Sequence, residues 1–162
     1  MQICRFYEPD MGPRLGLIVG DKAADLTLLD PIGCADMSSW LALDDPVGHI
    51  KKLSESIEPS RLRIEWRELD RRPSDIGRHL LAPIDFQEVW GCGITYSQSR
   101  EAHMHGTGLG AQFYDQVYDS DRPMLFFKAT PHRVVGPNVP IRVRSDSFWT
   151  VPEPELTLLL TS

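Results

Sequence analysis

The chain begins with short apolar runs that glycine, proline and acidic residues interrupt every few positions. Within residues 1–30 these runs are MQICRFY, RLGLIVG and AADLTLL. Apolar runs of this length, bounded by turn-forming residues, are typical of β-strands joined by hairpin turns. The sequence therefore predicts a small β unit here, within an α+β, β-rich fold.

The charge balance argues against two classes of partner. The 162 residues carry a formal net charge of −6, and 41% of them are hydrophobic. A surface for nucleic acid or an anionic membrane needs an excess of Lys and Arg to replace counterions. No stretch approaches the roughly 20 apolar residues of a membrane helix, and no basic, apolar leader begins the chain. We expect a cytoplasmic protein that binds a small molecule or a metal.

The three cysteines do not form a recognisable framework. Cys4, Cys34 and Cys92 are odd in number and widely spaced, without a Cys-x-x-Cys pair. Neither a disulfide scaffold nor a thiolate zinc site is indicated, and a reducing compartment suits such a chain.

Two further patterns lie in the first half. The segment SSWLALDDPVGHIKKL predicts two short helices that Pro46 separates. In RLRIEWRELD the apolar residues Leu62, Ile64 and Trp66 alternate with polar ones, which predicts a half-buried strand.

A shift in composition near Pro83 predicts a boundary between two domains, residues 1–82 and 83–162. In the second domain we expect a strand that ends at Tyr96, a helix in SQSREAHMH and a helix or turn in FYDQVYDSDRP. Strands are predicted in MLFFKAT, on both sides of the turn in VVGPNVPIRVR, and in ELTLLL, which is expected to be buried.

Two glutamates stand just before that last apolar run. In a strand, Glu153 and Glu155 would point to the same face, one pleat repeat apart. Pro152 and Pro154 suit an edge strand, where such carboxylates are simply solvated. Like charges on one face repel, however, and a divalent cation between them would relieve the repulsion. The pattern alone leaves both interpretations open.

The remaining polar motifs are weak individually. On a helix His103 and His105 diverge, so we interpret them as surface histidines and not as a zinc pair. The glycines of GTGLG lack the flanking strand and helix of a dinucleotide-binding loop and favour a mobile lid. Lys128 either extends its ammonium to solvent or binds an anion.

Three segments of the second half become informative as a set: VWGCGITYSQSRE, RPMLFFKATPHRVVGP and RVRSDSFWTVPEPELTL. Their order and spacing resemble the fumarylacetoacetate hydrolase family, in which a Gly-x-x-Tyr strand end precedes the active-site helix and a Glu-x-Glu pair binds a divalent metal. The patterns Tyr-x-x-Ser-Arg-Glu and Ala-Thr-Pro-His-Arg resemble the sugar-acid branch, which includes 2-keto-3-deoxy pentonate dehydratases. The resemblance covers roughly residues 88–160.

The resemblance implies a metal-dependent lyase of carbohydrate catabolism that dehydrates a 2-keto-3-deoxy sugar acid. Mg²⁺, or else Mn²⁺ or Ca²⁺, is expected at Glu153 and Glu155. It also implies a small N-terminal β/α domain followed by the start of a truncated mixed β-roll, so that the chain resembles an N-terminal portion. For the complete protein we expect a homodimer.

The resemblance also suggests roles around the metal. Tyr96, Ser99 and Arg100 are expected to bind the polar substrate chain. Lys128 is expected to balance the charge of the enolate or carboxylate, and Glu101 to transfer a proton.

Three departures from the family pattern bear on these roles. Ser99 stands where the hydrolases carry a histidine that helps to activate water, and Met124 stands where the sugar-acid branch is expected to have an acidic residue. The family's third metal ligand, an Asp, would lie beyond Ser162. Two rival hypotheses therefore remain: a C–C bond hydrolase of a diketo acid, and a non-catalytic fragment that acts by association.

Overall fold

The computed structural model describes residues 1–97 and 116–160. The chain forms two compact units, one made of residues 1–86 with 134–162 and the other of residues 87–133. The predicted domain boundary near residue 82 stays a prediction. In the described ranges, no helix is long and apolar enough to cross a membrane.

The first unit is built on an antiparallel sheet of five strands in the order β4-β3-β2-β1-β5. The strands are β1 (Gln2–Glu8), β2 (Gly12–Val19), β3 (Lys22–Asp25), β4 (Leu62–Glu65) and β5 (His79–Leu80). The first three follow one another through tight turns, as the apolar runs predict. The third run, AADLTLL, is a strand only as far as Asp25, however, and its second half is helical. Gly12 and Gly20 hold these turns at φ 84° and 63°, which a glycine adopts without a steric penalty.

Four α-helices accompany this sheet: α1 (Leu26–Leu29), α2 (Met37–Leu41), α3 (Pro46–Ser56) and α4 (Trp66–Leu69). Asp25, Asp36 and Asp45 cap the first three, because each carboxylate accepts a hydrogen bond from a backbone N–H in the first helical turn. The predicted pair of helices around Pro46 is confirmed. Pro46 occupies the first turn of α3, where its missing N–H costs no hydrogen bond.

Buried side chains form two clusters in this unit. Leu15 and Leu17 of β2 belong to one, which also contains buried residues of α1, α2 and α3. Phe6 of β1 belongs to the other, with buried residues of β3, β4, α4 and β5. Between the two leucines, a Cβ on Gly16 would lie 2.9 Å from Cys4 Sγ and 3.2 Å from the Phe6 ring. Gly16 therefore admits the aromatic ring against the sheet.

A buried ion pair connects β1 to residues 82–85. Arg5 Nε lies 3.0 Å from Asp85 Oδ1, and the two side chains are 12% and 4% exposed. The guanidinium also donates to the carbonyls of Ala82, at 2.8 Å, and Ile84. The second carboxylate oxygen of Asp85 accepts from the backbone N–H of Ser38 in α2 at 3.0 Å. One carboxylate thus joins a strand, a helix and the chain that follows β5.

The second unit contains the antiparallel pair β6 (Val89–Cys92) and β7 (Leu125–Ala129). The strand predicted in MLFFKAT is confirmed as β7. The strand predicted to end at Tyr96 ends earlier, at Cys92, where the chain turns through Ile94 at φ 52°. Residues 116–118 are helical, in agreement with the helix or turn expected there.

The strand predicted in RLRIEWRELD is confirmed as the half-buried β4, although it ends at Glu65, whereas the strands predicted in VVGPNVPIRVR and in ELTLLL are wrong. Trp66 begins α4, because the partner β3 starts at Lys22 and offers no ladder position beyond Glu65. Residues 134–144 form a turn without flanking strands, and residues 151–160 form no strand. The run expected to be buried leaves Leu156 83% exposed, and only Leu159 packs against the first cluster. A strand needs a partner for its backbone groups, and the part of the chain that the structure describes supplies none here.

We expect Cys4 to lower stability at high pH. Burial raises the pKa of its thiol from 9.0 to about 11, against an opposing hydrogen bond from the Gly16 backbone. Above pH 9 only the unfolded chain releases this proton, so the folded state loses on the order of 2 kcal/mol by about pH 11. The free energy of unfolding, measured with urea from pH 8 to 11, should therefore decline less steeply in Cys4→Ser than in the unmodified protein. Equal declines in both proteins would show that the Cys4 thiol is not the cause.

Candidate active site

The two glutamates of the predicted metal pair lie in the first unit, near the end of the described chain. Both Glu153 and Glu155 expose their side chains, and neither belongs to a strand. The shared strand face expected for them is therefore not formed here. Their donor chemistry nevertheless fits Mg²⁺, which takes hard oxygen ligands from one or two carboxylates and retains several waters.

The β6–β7 pair positions Lys128 in the second unit. Because side chains alternate along a strand, Lys128 shares one face of β7 with Phe126, while Phe127 points to the other. The Phe126 ring lies directly over Gly91 of β6, where a Cβ would overlap it. On the opposite face the rings of Phe127 and Trp90 meet edge to face at 5.8 Å. Two aromatic contacts thus fix the strand that carries Lys128, whose side chain is exposed.

Tyr96 follows the other end of this strand pair. β6 ends at Cys92, opposite Leu125, where the antiparallel β7 begins. Just beyond this pair the Gly93 N–H donates to the Met124 carbonyl at 2.9 Å. Tyr96 lies just beyond this closure and is 42% exposed. Lys128 stands three positions along β7 from Leu125, about 10 Å at the rise of a strand. The ladder itself therefore does not bring Tyr96 and Lys128 together.

The other predicted groups lie outside the described residues. They are Ser99, Arg100 and Glu101, together with His103, His105 and the glycines of GTGLG. Met124 is described and is exposed. Each assigned role therefore stays a prediction.

A cavity of about 260 Å³ in the first unit was not predicted from the sequence. Its lining includes Glu8, Arg61 and Arg78, and apolar residues of α1 and β4. Arg78 donates to Glu8 at 2.6 Å and to Glu68 at 3.0 Å. The hydrogen bond to Glu8 is the main reason that the pKa of Arg78 is raised. Of the carboxylates that line this cavity, Glu8 is therefore committed to an ion pair with Arg78.

A second unpredicted feature is the meeting of Asp30, Cys34 and His49 in the first unit. A pair of like residues at short spacing is the usual sequence signal for a metal site, whereas this cluster combines one cysteine with two other residue types. The spacing of Asp30 and Cys34, four residues apart, was the available signal. The histidine lies on helix α3, and only the fold places it beside them.

Comparison with known proteins finds similarity to two sugar-acid dehydratases. It is 42% identical over 134 residues to 2-dehydro-3-deoxy-D-arabinonate dehydratase of Saccharolobus solfataricus, a match that covers 78% of the chain and 45% of that enzyme. It is 47% identical over 85 residues to a probable 2-keto-3-deoxyxylonate dehydratase of Haloferax volcanii, covering 52% of the chain and 29% of that protein. The resemblance to sugar-acid dehydratases is confirmed.

Solved structures agree with these relatives. The apo form of 2-keto-3-deoxy-D-arabinonate dehydratase matches 96% of the chain and 48% of its own, with 31% identity and a TM-score of 0.55. The same dehydratase complexed with magnesium and 2,5-dioxopentanoate gives a TM-score of 0.56. No family model matches the chain. The chain spans about half the length of the dehydratase structures that it resembles.

Proposed function

We propose that this chain belongs to a Mg²⁺-dependent dehydratase of a 2-keto-3-deoxy sugar acid. The main support is its similarity to two dehydratases of this substrate class and to a solved dehydratase structure in complex with magnesium and 2,5-dioxopentanoate. Because the chain spans about half of such an enzyme, we assign the activity to a protein of its relatives' length that contains it. We call this the extended protein.

The overall chemistry is the loss of one water. A 2-keto-3-deoxy pentonate gives up a proton from C3, and its C4 hydroxyl departs as water after taking up a proton. The remaining unsaturated alcohol becomes a 2,5-dioxopentanoate by tautomerisation. The neighbour's 2,5-dioxopentanoate therefore has the composition of a dehydration product.

Glu153 and Glu155 would hold the metal. Their carboxylates are of the kind that Mg²⁺ prefers, and their exposure leaves room for water and substrate oxygens around the ion. When bound, Mg²⁺ supplies electrostatic stabilisation of the negative charge that develops on a 2-oxo acid as its C3 proton is removed.

The remaining side chains would orient the substrate and move protons. Lys128 offsets negative charge on the substrate, from a strand that two aromatic contacts hold in place. Tyr96, Ser99 and Arg100 bind the hydroxyl-bearing chain, and Glu101 transfers the proton at C3.

The finer architecture belongs to the same proposal. We assign residues 1–82 to a small N-terminal domain and residues 83–162 to the beginning of a fumarylacetoacetate-hydrolase-like mixed β-roll. The extended protein is proposed to act in the cytoplasm as a homodimer. Size-exclusion chromatography with light scattering measures the oligomeric state.

Metal dependence tests the proposed reaction. We expect the extended protein to lose turnover of a 2-keto-3-deoxy pentonate after treatment with a chelator. Added Mg²⁺ should restore it, because developing enolate charge is otherwise left uncompensated. An acylpyruvate serves as the matched substrate for the hydrolase alternative. Full activity in excess chelator, or cleavage of the acylpyruvate alone, would overturn the proposal.

A further inference from the structure

Three different metal-ligating side chains meet in the first unit, in a group that includes neither glutamate of the proposed Mg²⁺ site. Asp30, Cys34 and His49 each offer one donor atom, and all three atoms lie within 4.8 Å of one another. The closest two are Asp30 Oδ2 and His49 Nε2, at 2.8 Å. Donors around a tetrahedral Zn²⁺ are about 3.5 Å apart, so a small rearrangement of these side chains would accommodate the ion.

The backbone around Asp30 orients its carboxylate. Asp30 caps the C-terminus of α1, and its Oδ1 accepts hydrogen bonds from Ile32 N at 3.2 Å and Gly33 N at 2.9 Å. These contacts direct Oδ2 to His49. The Cys34 N–H donates to the Asp30 carbonyl at 3.0 Å, which sets the thiol four residues on. Hydrogen bonds of this kind, made to the ligand residues by their surroundings, orient the ligands before a metal binds.

The third donor is held by a separate helix. His49 lies in the first turn of α3, and its backbone N–H donates to the Asp45 carbonyl at 2.9 Å. This backbone bond holds His49 in the helix, and the 2.8 Å contact with Asp30 Oδ2 orients its imidazole. A metal held by all three side chains would join the segment after α1 to α3.

The space around the donor atoms is kept open by a glycine. A Cβ on Gly33 would overlap Asp30 Oδ2 and lie 3.4 Å from His49 Nε2. The Cys34 side chain is buried, whereas those of His49 and Asp30 are 31% and 24% exposed. The sulfur thus sits at the inner side of the cluster, and the other two donors border solvent, where water can supply a fourth ligand.

We propose that Asp30, Cys34 and His49 form a binding site for a transition-metal dication of the Zn²⁺ type. The thiolate and imidazole suit a borderline-soft ion and disfavour Mg²⁺, which prefers oxygen donors. The site does not depend on the proposed dehydratase activity.

Cobalt spectroscopy on the full chain tests this site. After chelator treatment and buffer exchange, Co²⁺ is titrated into the protein and absorption is recorded. We expect near-ultraviolet thiolate-to-cobalt charge transfer at one equivalent, with visible bands typical of four-coordinate cobalt. Zn²⁺ should abolish the spectrum, and a thousandfold excess of Mg²⁺ should leave it unchanged.

Three variants assign the donors. Cys34→Ser should lose the charge-transfer band. His49→Gln, which retains an amide able to donate to Asp30, should weaken Co²⁺ binding at least tenfold while circular dichroism shows the fold unchanged. Cys4→Ser is the matched control, because Cys4 is a partly buried thiol that lies outside the cluster. This variant should keep the spectrum of the unmodified chain.

Three results would overturn the site. Charge transfer that is absent from the unmodified chain would mean that the contact of Asp30 with His49 serves only to join α3 to the preceding segment. A band that persists in Cys34→Ser, or an unchanged affinity in folded His49→Gln, would place the cobalt elsewhere.

Discussion

Replacing both Glu153 and Glu155 by glutamine is expected to lower turnover by the extended protein at least about a hundredfold. The change keeps the size and polarity of the two side chains but removes both negative charges. Metal stabilisation of a developing enolate contributes several kcal/mol, and each 1.4 kcal/mol corresponds to a factor of ten in rate. The effect should appear in kcat at saturating substrate, together with a weaker Mg²⁺ affinity in calorimetry.

A matched pair separates metal ligation from loss of surface charge. Glu55→Gln with Glu58→Gln also removes two exposed carboxylates from the first unit. This control should retain turnover and Mg²⁺ affinity within a factor of two. If the Glu153 and Glu155 double variant behaves like the control, the metal pair is assigned to the wrong residues.

The substitution Asp85→Asn is expected to destabilise the first unit by about 3–5 kcal/mol. Arg5 would keep its buried position and its bonds to backbone carbonyls, but it would lose the carboxylate that compensates its charge. An unpaired buried charge costs far more than an exposed pair contributes, because solvent no longer screens it. The free energy of unfolding of a protein is typically about 5–15 kcal/mol, so this loss is a large fraction of it.

Urea unfolding, followed by circular dichroism, measures this change. Glu65→Gln is the control: Glu65 pairs with Lys22 at 3.5 Å, with side chains 50% and 44% exposed. It should change the free energy of unfolding by less than about 1 kcal/mol. A comparable small effect in Asp85→Asn would show that the ion pair does not stabilise the fold.

Features determined by local sequence could be predicted. Asp45 followed by Pro46 specifies a capped helix start, and the first two apolar runs of the chain specify strands because turn residues bound them. MLFFKAT became β7 because apolar, aromatic residues suit a strand.

Features that depend on a partner could not be predicted in the same way. ELTLLL has a strand-like composition, but a strand also requires a neighbour for its backbone hydrogen bonds, which a local pattern does not supply. Trp66 continues an alternating pattern, yet β4 stops before it because its partner strand β3 begins only at Lys22, opposite Glu65. The contact of Arg5 with Asp85 joins residues distant in sequence, so no local spacing indicates it.

The same distinction between local sequence features and long-range contacts applies to the candidate sites. The motifs around Tyr96, Lys128 and the glutamate pair were sufficient to suggest the sugar-acid dehydratases, and the comparisons confirm that resemblance. The cluster of Asp30, Cys34 and His49 could not be predicted from the sequence, because a loop and a helix bring its residues together in three dimensions. Motif order thus indicated the relatives, whereas side-chain geometry indicated the additional metal site.

The mass of the reaction product tests the central claim most directly. The extended protein, supplied with Mg²⁺ and a 2-keto-3-deoxy pentonate, should yield a single five-carbon product lighter than the substrate by one water. Two shorter carbon fragments would instead indicate a C–C bond hydrolase. Unchanged substrate, in the presence of bound Mg²⁺, would contradict the assignment of this chain to a dehydratase.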